Sequence, residues 1–256
     1  MAFMQCFIRS SVLGKGCNVN VLIPQHYEAD GITPGGRQTY KVLYLLHGLS
    51  DDYSSWMRRT SIERYLGNLD VVAVMPDVDR SFYTDMKYGL KYWTFISEEL
   101  PALISQMFPV STRREDTFVA GFSMGGYGAL KLALNHPEKF AAAGAMSSVT
   151  DIISKFGDPR YQGWQFENIF GSPEEVISKG NDLFTALDKT ACQAVKPRII
   201  QICGTEDYLW QDNLKLKSAF EKNSYPDYVF ESHPGIHSWD FWDVHIQTIL
   251  KFFFHQ

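Results

Sequence analysis

Apolar and polar positions follow two different rhythms along this chain. Phe3–Leu13 and the alternating stretch Asn18–Ile23 are separated by Gly14-Lys15-Gly16 and closed by Pro24, which predicts an N-terminal hairpin. A polar, Gly/Pro-rich loop spans Ala29–Thr39. Beyond it, short apolar runs at Val42–Leu46, Val71–Met75, Thr117–Ala120, Ala141–Met146 and Ile199–Cys203 alternate with amphipathic stretches, notably Tyr92–Phe108, Met124–Asn135 and Asn213–Lys222. Near-continuous hydrophobicity suits strands covered on both faces, and its alternation with helical periods predicts a mostly parallel sheet flanked by helices.

Some boundaries are written locally. Ser172-Pro173-Glu174-Glu175 combines a capping serine, a proline at the first helical position and a carboxylate three residues on. The helix opening at Met124 should stop at Asn135-His136-Pro137, and Pro101 should kink its helix or mark its start. Ser147–Lys196 is the longest connection between two predicted strands; with Trp164, Phe166 and Phe170 it is a candidate small cap over a pocket. No repeat or linker divides the chain, so residues 1–256 are read as a single domain.

Composition narrows the function classes. With 45% hydrophobic and 21% charged residues, the chain has ordinary globular usage and enough length for a large core. A net charge of −5 with no basic run argues against nucleic acid as a partner. No segment is apolar for long enough to span a membrane or serve as a secretory leader, and Cys6, Cys17, Cys192 and Cys203 show no paired spacing. A cytoplasmic protein is expected, with its oligomeric state open.

The candidate chemistry centres on Gly121-Phe122-Ser123-Met124-Gly125-Gly126. A G-x-S-x-G string arises by chance in roughly one chain in ten of this length. Here it follows a strand-like run and opens a helical one, the context a nucleophile elbow requires. Ser123 would sit in a strained turn, and the Met124 N–H at the helix start would face a developing oxyanion. The bland alternative is a glycine-rich turn with an incidental serine. A serine nucleophile needs an acid after a later strand and a histidine near the C-terminus. Asp207 and Glu206 both follow Ile199–Cys203; Asp207 is favoured, and the other is read as a solvated surface charge. For the base, His237 directly precedes an aromatic helix on a loop freed by Gly235, whereas His233 closes the strand-like Tyr228–Ser232; His237 is favoured. His26, His136, His245 and His255 read as structural or surface residues. His47-Gly48-Leu49-Ser50 after Lys41–Leu46 supplies the expected second oxyanion donor, the Leu49 N–H, with His47 itself a structural hydrogen-bonder. Trp56, Trp164 and Trp239 fall in segments that should border Ser123 and are candidate pocket residues; several rings there would make a short acyl pocket.

The chain resembles the esterase D family of α/β-hydrolases, in particular its bacterial tributyrin-esterase branch. The likeness runs through His47-Gly48-Leu49-Ser50 with Trp56, Tyr83-Thr84-Asp85-Met86, Glu98-Glu99-Leu100-Pro101, Thr117–Leu130, Gly204–Leu209 and Gly235–Trp239. It implies an α/β-hydrolase fold and a serine carboxylesterase with Ser123, Asp207 and His237 as its triad. The S-formylglutathione hydrolases of that family typically carry Gly-Leu-Thr-Cys at the oxyanion strand and often histidine after the elbow glycines. This chain has Gly48-Leu49-Ser50-Asp51 and Tyr127, which disfavours a glutathione thioester.

The expected reaction is hydrolysis of short-chain acyl esters, with aryl or feruloyl esters as an alternative class, through an acyl-enzyme and without cofactor or metal. Two rivals stand beside it: an acyltransferase, separated by how the acyl-enzyme partitions between water and an alcohol, and a non-catalytic binding module, which an unlabelled Ser123 under a fluorophosphonate probe would favour.

Overall fold

A computed structural model describes residues 1–27, 30–31 and 39–254. Most of the predicted Ala29–Thr39 loop, and His255, lie outside the described residues. Eight strands form one sheet: β1 (Ala2–Ser10), β2 (Lys15–Ile23), β3 (Lys41–Leu46), β4 (Val71–Pro76), β5 (Thr117–Phe122), β6 (Ala142–Met146), β7 (Arg198–Gly204) and β8 (Tyr228–His233). Their order is β1-β2-β4-β3-β5-β6-β7-β8. The β1–β2 and β2–β4 pairs are antiparallel, and β4, β3 and β5 to β8 run parallel.

Period-two alternation sends the side chains of the central strands into two separate cores. Val42, Tyr44, Leu46, Val72, Val74 and Val119 face the helices Leu100–Met107, Met124–Asn135, Leu183–Ala191 and Trp210–Lys222. Leu43, Leu45, Ala73, Met75, Phe118 and Ala120 face Ser55–Arg59, Ile62–Leu66 and the C-terminal helix Trp239–Phe254. Burial on both faces explains why these strands carry no polar alternation.

Some boundaries differ from the sequence expectation. β1 stops at Ser10 rather than running to Leu13, because the Glu99 carboxylate accepts the N–H of Ser11 at 2.7 Å and of Val12 at 3.2 Å and holds them in a turn. The amphipathic stretch Tyr92–Phe108, where Pro101 is expected to kink the helix or mark its start, contains a π turn over Phe95–Glu99 before Leu100–Met107 resumes α geometry. Pro101 has no N–H for the Ser97 carbonyl, so the ladder widens there. Lys139 Nζ takes up that carbonyl at 3.1 Å. The Ser172 capping box forms as expected, and Met124–Asn135 ends before His136. Trp210 starts the last-but-one helix earlier than the predicted Asn213.

Parallel pairing places the ends that carry chemistry along one edge. Leu46 pairs with Gly121, Phe122 with Met146, Met146 with Ile202, and Gly204 with His233. The segments leaving β3, β5, β7 and β8 therefore converge at the carboxyl side of the sheet, where open α/β sheets bind ligands. Residues 147–196 follow β6 toward that edge. The segment is anchored there by Lys87 N–H to the Ile169 carbonyl (2.8 Å), Tyr88 N–H to the Asn168 carbonyl (3.0 Å) and Tyr127 O–H to the Asn181 carbonyl (2.6 Å).

Candidate active site

Ser123 occupies the turn between β5 and the Met124–Asn135 helix with φ +54° and ψ −119°, a conformation a non-glycine residue adopts only under constraint. The constraint is visible in the backbone. Ser123 N–H donates to the Met146 carbonyl at 2.9 Å, and its own carbonyl accepts from Tyr127 at 3.1 Å. Glycines are required on both sides of the turn: a Cβ on Gly121 would lie 2.4 Å from the Gly125 carbonyl carbon, and one on Gly125 would lie 2.3 Å from the Leu46 carbonyl oxygen. The elbow is pressed this tightly against β3.

His237 approaches from the loop after β8. Its Nε2 lies 3.0 Å from Ser123 Oγ, and its Nδ1 lies 2.9 Å from Asp207 Oδ2. A carboxylate can only accept, so Nδ1 carries the proton and Nε2 presents its lone pair to the serine hydroxyl. Asp207 is buried, and its other oxygen accepts the Leu209 N–H at 2.8 Å, which fixes the carboxylate from behind. The imidazole is flanked by the Tyr208 ring (centroids 4.6 Å apart) and the edge of Trp242 (4.9 Å). Such an arrangement can withdraw the hydroxyl proton as oxygen attacks an electrophile, and return it later to a leaving group. The Leu49 and Met124 N–H groups have no hydrogen-bond partner among the described residues, so both are free to donate to an anion beside Ser123.

The other sequence candidates are placed as follows. His233 is apart from Ser123: it stacks on His245 at 4.3 Å and approaches Glu231 at 3.2 Å. Glu206, read from the sequence as a solvated surface charge, is exposed and also hydrogen-bonded. Its carboxylate accepts the Gly235 N–H while its own N–H donates to the Gly235 carbonyl at 3.1 Å, so it clamps the loop bearing His237. His47 is buried, with Nδ1 2.8 Å from the Gly48 carbonyl and Nε2 accepting the Val78 N–H at 3.1 Å, the structural role expected of it. Burial lowers its pKa below the ordinary histidine value.

A cleft of about 710 Å³ opens over Ser123, lined by Leu49, Phe122, Trp164, Tyr208, His237 and Trp239 among others. Trp164 and Trp239 line it; Trp56 does not. Trp56 is fully buried behind the wall, edge-on to Phe122 and Trp239, with Nε1 donating to the Leu46 carbonyl at 3.2 Å. Its indole N–H satisfies a carbonyl that sequence position alone could not reveal. Sequence reasoning missed Arg59, Arg80, Asp51 and Tyr208, which also line the cleft. Arg59 and Tyr208 stood near the motifs, but nothing in their spacing gave their direction. Among the described residues no cluster of side chains suited to a metal ion is present, and no helix is long and apolar enough to cross a membrane.

Residues 10–253 match the Esterase family model, described as "Putative esterase". An acetyl esterase of Caldicellulosiruptor saccharolyticus is 30% identical over 98% of this chain and 97% of its own length. The substrate-bound structure of FphF, a fluorophosphonate-binding serine hydrolase of Staphylococcus aureus, superposes with a TM-score of 0.90 at 34% identity, covering 100% of this chain and 99% of that one. An S-formylglutathione hydrolase (FrmB) of Staphylococcus aureus gives 0.86 at 34% identity over 98% of each chain. The chain therefore belongs to the esterase family and is a serine hydrolase of carboxylic esters with the α/β-hydrolase fold.

Proposed function

We propose that this enzyme hydrolyses short-chain acyl esters through an acyl-enzyme formed on Ser123, as a member of the tributyrin-esterase branch of the esterase D family. His237 Nε2 takes the Ser123 proton as Oγ adds to the ester carbonyl. The Leu49 and Met124 N–H groups receive the resulting oxyanion, each donor being worth about 3 kcal/mol of transition-state stabilisation. Collapse expels the alcohol, protonated by His237, and water repeats the sequence in reverse to free the acid. Asp207 holds the imidazole tautomer throughout. The whole chain acts as one domain in this reading, with residues 147–196 as its cap, and four free thiols support a reducing, cytoplasmic setting.

The observation that carries the reading is the unbroken chain Ser123 Oγ–His237–Asp207, with both contacts at 3.0 Å or less, anchored on a strained serine. Support for a short acyl group comes from the rings around the serine: Trp239 and Trp242 pack on Phe122 at 4.4 and 4.2 Å and make a firm wall. The name of the acetyl esterase relative points the same way. Each methylene that fits gains up to about 0.8 kcal/mol, and the first that does not forfeits more through strain.

The test joins both claims. Ser123→Ala should lose several orders of magnitude in kcat and all fluorophosphonate labelling while keeping its circular dichroism. Retained turnover in a folded variant would remove the serine from its role. On wild type, kcat/KM across p-nitrophenyl esters from about C2 to C12 should peak by butyrate and drop by octanoate. A maximum at octanoate or longer would overturn the short-chain assignment. S-formylglutathione belongs in the same panel, because a relative at 34% identity carries that name.

A further inference from the structure

The cleft above Ser123 is lined by charge as well as by rings. Arg59, Arg80 and Asp51 are among its lining residues, so two basic side chains and one acidic one border it in a chain whose net charge is −5. The two arginines are held differently. Arg80 donates through Nη2 to the Gly163 carbonyl at 2.8 Å, which fixes it against the 147–196 segment without neutralising it. Arg59 ends the Ser55–Arg59 helix, and its side chain makes no hydrogen bond or ion pair with any described residue. Its neighbour Arg58, which does not line the cleft, is occupied by Ser54 Oγ at 2.8 Å and Asp52 at 3.9 Å. Asp51 lies close enough to feel the Arg59 charge but forms no ion pair with it.

A single exposed arginine is ordinary solvated surface. Two lining the cleft that holds a strained serine, one with its side-chain donors unpaired among the described residues, form a recognition arrangement, because a guanidinium fork matches a carboxylate in bidentate geometry. We propose that the cleft selects esters carrying a carboxylate, with Arg59 as the pairing residue and Arg80 as a second positive flank. The inference rests on the reading of Ser123 as nucleophile. Trp164, Tyr208 and Trp239 cover the apolar remainder of such a substrate.

The carboxylate could belong to either side of the ester, and two matched pairs of substrates distinguish them. On the acyl side, p-nitrophenyl hydrogen glutarate is compared with its neutral amide isostere, p-nitrophenyl glutaramate. On the leaving-group side, 4-carboxyphenyl butyrate is compared with 4-carbamoylphenyl butyrate. In the wild-type enzyme kcat/KM should favour the charged member of one pair by about tenfold or more, the range of one charge-assisted contact. That ratio should shrink as salt is raised from about 0.05 to 0.5 M. It should fall to about one in Arg59→Gln, less completely in Arg80→Gln, and stay unchanged in Arg58→Gln. No preference in either pair, or a preference that survives Arg59→Gln and Arg80→Gln together, overturns the inference while the nucleophile reading stands. Failure to hydrolyse any of the four esters overturns both.

Discussion

Burial and two backbone partners keep His47 neutral. Protonation would set an N–H on Nε2 against the Val78 N–H that now donates to it. Because burial lowers its pKa in the folded state, the unfolded chain binds the proton first. Stability from this residue is therefore complete above the unfolded histidine value near ~6.5 and is lost progressively as pH falls below it. Melting temperatures at pH 7 and pH 5 should show a larger loss for wild type than for His47→Gln, though the variant starts lower. Equal losses would mean that His47 does not take part in acid unfolding. The two acids after β7 allow a sharper contrast. Asp207→Asn keeps the shape but presents an amide to Nδ1 and should cut kcat by about 10⁴ through the wrong tautomer. Glu206→Gln keeps a carbonyl acceptor for the Gly235 N–H and should cost tenfold or less by steady-state kinetics. The opposite ranking would make Glu206 the orienting acid. At this scale the sequence was informative about Ser123, His237 and Asp207, because strand ends and motif spacing locate them. It was silent about the Glu206 clamp and the burial of Trp56, since one residue's direction depends on neighbours far away in the chain.

The helix after the elbow does more than aim a dipole at the serine. Its Gly128 faces the Tyr83 ring so closely that an added Cβ would sit 2.4 Å from Cδ2. Tyr83 stands at φ +52° with its hydroxyl donating to the His47 carbonyl at 2.9 Å, one residue before the oxyanion loop turns at Gly48. Its own carbonyl accepts from the buried Lys131 Nζ at 2.8 Å, and that nitrogen also lies 4.4 Å from the Trp93 ring centre. The helix thus braces the loop that carries Gly48 and Leu49 through Tyr83. Gly128→Ala should push Tyr83 off the His47 carbonyl, cost about 1–3 kcal/mol of overpacking and lower kcat more than it raises KM. Calorimetry and steady-state kinetics on the same preparation check both halves; a fall in stability with unchanged kcat would show that Tyr83 does not set the loop. Element positions were legible in the chain because both faces of the sheet are buried. The π turn was not, since Pro101 fixes only that something must yield, and Lys139 from another element decides how.

Across the whole molecule, the 147–196 segment is docked by polar contacts as well as by its buried aromatics. Lys155 and Asp212 form a buried ion pair between that segment and the Trp210–Lys222 helix, with Lys155 Nζ 4.6 Å from the Tyr161 ring centre. Thr150 Oγ1 donates to the Asp212 carbonyl at 2.7 Å. Removing one partner of a buried pair leaves an uncompensated charge and typically costs about 3–5 kcal/mol. Asp212→Asn should therefore lower the melting temperature markedly and speed proteolysis within residues 147–196 before the sheet is cut. Uniform cleavage throughout the chain would show that the segment has no separate attachment.

By itself the sequence determined the alternation of buried strands and helices, the strained serine turn, and which histidine and acid could follow it. All of these rest on local rules: period, capping, glycine at a crowded turn, and proline as a stop. Only the tertiary structure decided which rings and charges face the cleft. Trp56 and Trp239 both flank the motifs, yet one lies behind the wall and the other forms it. Arg58 and Arg59 are adjacent, yet one is spent on Asp52 and Ser54 while the other lines the cleft over Ser123. A side chain's direction at the end of a short helix turns by about 100° per residue, so its role is fixed by what the rest of the fold brings to that side.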